Sequence, residues 1–98
     1  MIDYSKLPNY WYKLENKEDL IELLKKCYKT VNQLYLEAVA VWHEKKAWWI
    51  EMQIYYNQKR QAITEILKRD DEEEMVARYK LFHYYLKDID ERHHTKKL

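Results

Sequence analysis

An all-α fold is predicted by three observations on this 98-residue chain. Glycine is absent, no proline follows Pro8, and apolar residues recur at alternating spacings of three and four from Leu24 to Ile66. Average usage would place roughly seven glycines in a domain of this size, so the residue that favours tight turns and left-handed caps is missing. What remains reads as long helices in a single domain, 1–98. The chain also carries ten Tyr and four Trp against one Phe. A dry core favours Phe and Leu, whereas Tyr and Trp have a polar tip and are enriched at interfaces.

The elements follow in order. Pro8 suits a first helical turn, because its missing N–H would be unpaired there, and residues 1–15 read as an arm, helical or irregular over about 8–14, carrying Tyr10, Trp11 and Tyr12. Asn16 then offers a side-chain cap, and Asp19 three residues on resembles a capping box. From about 17 to 69 a heptad seam runs through Leu24, Cys27, Val31, Leu34, Ala38, Val41, Lys45, Trp48, Met52, Tyr55, Lys59, Ala62 and Ile66. The favoured reading is one continuous or gently bent helix of roughly 80 Å at 1.5 Å per residue. Polar gaps at 43–46 and 57–61 are the two places where a break would convert a long helical hairpin into a compact three-helix bundle.

Five consecutive acids, Asp70 to Glu74, mark the next boundary. They repel one another inside a helix but complement the dipole at a helix start, and Asp71 with Glu74 predicts a reciprocal cap. A last, antiparallel helix is therefore expected over about 71–93, buried along Met75, Tyr79, Phe82, Leu86 and Ile89, with residues 94–98 frayed. The 20–69 region is mildly basic and 70–91 strongly acidic, which biases the two to pack together.

The middle of the long helix has a second apolar row, Leu36, Val39, Ala40, His43, Ala47, Ile50 and Ile54, offset by more than a quarter turn from the seam. With Trp42, Trp48, Trp49, Tyr55 and Tyr56 beside it, the segment from about 36 to 56 is apolar on most of its circumference. The last helix is too short to cover all of a long helix, which leaves a stripe from Leu20 to Val41 for a second chain. The sequence thus predicts a homodimer and a larger protein partner. The contact set is Leu36, Val39, Trp42, His43, Trp48, Trp49, Ile50, Ile54, Tyr55 and Tyr56.

Chemistry has little footing. There is no Gly-rich phosphate loop, nucleophile elbow or zinc-binding spacing, and Glu91 with His94 is a single Glu-x-x-His where a bundle di-iron site needs two. No metal, cofactor or small-molecule substrate is expected. Cys27 lies on the seam, where a thiol acts as a small hydrophobe, and a lone cysteine points to a reducing compartment. With no apolar run longer than five residues and no signal-peptide pattern at Met1–Tyr4, the expectation is a cytoplasmic protein without a membrane span.

Two alternatives carry named residues. Lys25, Lys26 and Lys29, or Lys59, Arg60, Lys68 and Arg69, with neighbouring aromatics, would suit a nucleic-acid binder or a transcription-regulating helical protein. Residues Arg78 to Tyr85 fit Arg-x4-His-x-Tyr, which resembles the motif of HEPN-family ribonucleases, small helical bundles that pair two such motifs. That resemblance implies Arg78 and His83 at an RNA-cleaving site and Tyr85 as a modifiable tyrosine. It covers eight residues and departs from the family at Tyr79, where a polar residue is usual. Positions five apart diverge by about 140° on a helix, so the reading remains non-enzymatic. The leading expectation is an adaptor, regulator or inhibitor, whose composition resembles the small accessory proteins of phages and mobile elements.

Overall fold

The computed structural model describes residues 2–41 and 47–97; the side chains of 41, 48, 49 and 93–97 lie outside that description. The order is a 3₁₀ turn at Tyr4–Lys6, then α1 (Lys17–Val41), α2 (Ala47–Leu67) and α3 (Glu72–Lys97). The all-helical class is as expected, but the favoured single helix over 17–69 is not found. Helix α1 ends at Val41, α2 begins at Ala47, and the two pack along each other. A molecule measuring 50 × 25 × 17 Å has no room for an 80 Å rod. The physical reason is burial: a reversed α2 covers the stripe on α1 that a continuous helix would leave in water.

Side-chain contacts set the register. Arg60 reaches Asn32, and Arg60 and Thr64 share a surface with Tyr28, so α1 and α2 are antiparallel. Tyr55 bonds Asp88, Lys59 lies on Tyr85 and Arg92 reaches Met52, so α2 and α3 are antiparallel as well. The fold is an up-down-up bundle. Its core joins Leu20, Leu23, Leu24, Cys27, Val31, Leu34 and Ala38 of α1 to Met52, Tyr56, Ile63 and Ile66 of α2. From α3 come Met75, Val76, Tyr79, Phe82, Leu86 and Ile89. The seam foreseen on the first half of the long helix is thus core. So is the α3 stripe.

Helix ends follow the sequence closely where side chains cap them. Asn16 Oδ1 accepts from the Asp19 N–H at 2.9 Å, satisfying a donor that α1 leaves open, and Asp19 reaches back to the Glu15 N–H at 3.0 Å, which ties the arm to the helix start. Asp71 accepts from the Glu74 N–H at 3.1 Å. The expected return bond from Glu74 is replaced by ion pairs to Arg69 and Arg78. Helix α3 continues to Lys97 rather than ending near His93.

The arm is mostly irregular, its one helical turn falling at Tyr4–Lys6 instead of 8–14. Tyr4, Leu7 and Leu14 are buried. The Tyr4 hydroxyl donates to Glu72, the Tyr79 hydroxyl donates to the Pro8 carbonyl, and Tyr10 bonds Asp90. These contacts lay the arm along α3, and Lys17 Nζ closes the same end by donating to the Asp70 carbonyl at 3.1 Å.

Candidate protein-interaction site

Reversal of α2 divides the predicted contact set. Leu36, Ile50 and Ile54 remain 51%, 43% and 57% exposed, Val39 is half-buried, and Ala40 and Ala47 are exposed. By helical geometry Leu36 and Val39 on α1, and Ile50 and Ile54 on α2, fall on the side of the hairpin away from α3. They cluster toward its Val41–Ala47 end. A large aliphatic side chain left half in water forfeits about half of its burial free energy, which is on the order of 1.5–3 kcal/mol per residue when complete. Trp42 and His43 lie outside the described residues, as do the side chains of Trp48 and Trp49.

Two predicted contact residues are placed elsewhere. Tyr56 is fully buried, because the core of α2 rotates onto the Met52, Tyr56, Ile63 line once α1 lies beside it. It is a core residue and presents nothing to a partner. Tyr55 turns toward α3, where its hydroxyl donates to Asp88 and its ring carries Lys59 and Arg92. Burial first, and then the bond to Asp88, push its phenol well above the ordinary value. Nor does the stripe from Leu20 to Val41 call for a second chain, since Leu20, Leu23, Leu24, Cys27, Val31, Leu34 and Ala38 are covered within this one.

A polar clasp ties α1 to α2 beyond the exposed aliphatics. Arg60 donates to Asn32 at 2.8 Å and Asn57 at 2.7 Å and lies 4.2 Å from the Tyr35 ring centre. The guanidinium is held flat by bonds on its edge and a ring on its face, so it is presented in one geometry. The hairpin therefore presents exposed aliphatics toward one end and a fixed arginine, a residue type enriched at interfaces, further along.

The cations that would have served a nucleic acid are largely engaged within the chain. Lys59 lies 3.5 Å from the Tyr85 ring centre and 5.0 Å from that of Tyr55, and burial lowers its pKa. Lys68 pairs with Glu65 at 3.4 Å and Arg69 with Glu74 at 3.2 Å. Lys25, Lys26 and Lys29 stay exposed on α1.

Arg78 and His83 are not brought together. Arg78 is exposed, pairs with Glu74 at 3.6 Å and borders the α2/α3 groove. His83 is buried against Tyr79 and Tyr84 on another side of α3. Its Nδ1 has no hydrogen-bond partner among the described residues, and burial, reinforced by Lys87, lowers its pKa. Among the described residues no three His, Cys, Asp or Glu side chains converge on a metal position, and no helix is long and apolar enough to cross a membrane. Sequence reasoning missed the outward apolar residues of α3, Leu81 and Tyr84. Their offset from the Met75–Ile89 stripe was the available signal. No protein-family model, curated protein or solved structure matches this chain.

Proposed function

We propose that the protein is a small helical interaction module that presents the outer face of the α1/α2 hairpin to a larger protein, acting as an adaptor, regulator or inhibitor. The observation that carries this reading is the exposure of Leu36, Ile50 and Ile54 toward the Val41–Ala47 end of the hairpin, with a pre-oriented Arg60 further along it. Arginine is among the residue types that dominate binding hot spots, and exposed aliphatics supply the apolar area around one. Tyr55 and Tyr56 leave the contact set and serve the fold.

Affinity capture with wild-type protein and with Ile54→Glu tests the reading. The substitution is at an exposed position, so it changes stability by no more than about 0.5 kcal/mol, yet a glutamate in a desolvated contact abolishes binding. Proteins retained equally by both forms would count against this face. Oligonucleotide binding that falls with Lys25→Glu and Lys29→Glu but not with Ile54→Glu would shift the function to nucleic acid.

A further inference from the structure

Six residues of α3 follow one another at steps of four and three: Glu74, Arg78, Leu81, Tyr85, Asp88 and Arg92. That spacing places them in one line along the helix. The line borders the groove between α2 and α3, a depression of about 290 Å³ floored by Ala62, Ile66 and Phe82. At its centre Leu81 is 74% exposed, as is its neighbour Tyr84; among the described residues these are the most exposed large apolar side chains. Tyr85, Asp88 and Arg92 give one side to α2 and remain 44%, 40% and 47% exposed on the other, so the line keeps an outward surface with Leu81 at its centre, large enough to take a partner.

The order of charges identifies what covers it. Read from either end, the line alternates so that turning it end for end exchanges every acid with a base and Leu81 with Tyr85. We propose that a second copy of this chain docks antiparallel along this line, with the two-fold axis at the level of His83. Glu74 then faces Arg92 of the second copy, Arg78 faces Asp88, and Leu81 faces Tyr85, each contact occurring twice as a two-fold interface requires. A parallel arrangement would set each charge against its own like and is disfavoured. Within each chain Arg78 already pairs with Glu74 at 3.6 Å and Arg92 with Asp88 at 3.0 Å. Docking joins these pairs into an alternating network of four charges at each end. The groove lies between Arg78 and Tyr85, at the level where the second copy's Leu81 and Tyr85 arrive. The line spans roughly 27 Å, which puts the contact at the low end of interface sizes.

Sedimentation equilibrium of the full chain up to about 200 μM tests this. Wild type is expected to dimerise, and Leu81→Glu, at a position about three-quarters exposed, to weaken the dimer at least about tenfold with helicity unchanged. Arg78→Glu alone and Asp88→Arg alone each set like charges together and weaken it similarly. Mixed in equal amounts, the two variants form a heterodimer of wild-type affinity, because each supplies the charge the other lacks. If Asp88→Arg loses helicity through its contact with Tyr55, Glu74→Arg mixed with Arg92→Glu repeats the exchange. The proposal is overturned by a wild-type monomer at 200 μM, by mixtures that do not recover affinity, or by a dimer that survives Leu81→Glu and dissociates on Ile54→Glu. Loss of the hairpin's larger partner with dimerisation intact would leave it standing.

Discussion

Between α1 and α2 the backbones run close together and the filling is aliphatic, with Leu24, Val31, Leu34 and Ala38 set against Met52 and Ile63. Between α2 and α3 the backbones stand further apart and the space is taken by long, polar-tipped side chains. Tyr55 reaches Asp88, Lys59 lies over the Tyr85 ring, and Arg92 spans Asp88, the Tyr55 ring and the Met52 sulfur. The first seam draws chiefly on shape and the removal of apolar surface from water, with the Arg60 clasp to Asn32 and the Tyr35 ring as its polar tie. The second draws chiefly on hydrogen bonds and cation–ring contacts, which are directional and fix register. Small side chains let α1 and α2 approach, and the large ones on α3 hold it off and leave the groove along its flank.

Substitutions can test that contrast. Leu24→Ala, in the close-packed seam, is expected to cost about 3 kcal/mol in denaturant unfolding, because a rigid aliphatic site collapses poorly around the void. A cost under about 1 kcal/mol would mean that the seam is looser than its burial implies. Tyr79→Phe removes the donor to the Pro8 carbonyl and should cost about 1 kcal/mol. It should also make the arm the first site of proteolysis, since Tyr79 is one of the few ties between the arm and the bundle.

A smaller effect is expected from pH. His83 is buried with its pKa lowered from 6.5, so the folded state binds fewer protons than the unfolded one. Its contribution is therefore complete above about pH 6.5 and lost as pH falls toward the folded value. The difference in stability between wild type and His83→Leu should consequently change between pH 7.5 and 5. A constant difference would place His83 in water. The smallest effect belongs to Tyr56→Phe. The Tyr56 hydroxyl is buried without a partner among the described residues, so its removal should raise stability by about 0.5 kcal/mol. A loss of more than 1 kcal/mol would reveal a bond and make the core of α2 as polar as its flank.

Much of this architecture was legible in the sequence. Asn16, Asp19 and Asp71 act through local hydrogen bonds that any helix start exposes, and they cap as read. The α3 stripe from Met75 to Ile89 was visible because a helix with one buried side shows one period. The break between α1 and α2 is less legible. A heptad seam that stays in register across 43–46 looks the same whether the helix continues or doubles back, and without glycine or proline nothing local marks the reversal. That choice is made by long-range burial of the Leu20–Ala38 stripe, which local spacing does not record. Tyr56 was misplaced for the same reason, as its side of α2 becomes the inside only when α1 lies beside it. The outward row of Leu36, Ile50 and Ile54 survived the correction because its exposure follows from helix phase, which reversal leaves intact.

Cys27 sits at the middle of α1 with no exposed surface, close to Tyr79 of α3, and burial raises its thiol pKa to about 12. It is the chain's one cysteine. At neutral pH almost none of it is thiolate, so a thiol reagent acts only in moments when the core around it opens. The residue is thus a native timer for that opening. Its labelling rate measures how often the bundle parts, and a change in that rate on adding a partner would report binding without any attached probe.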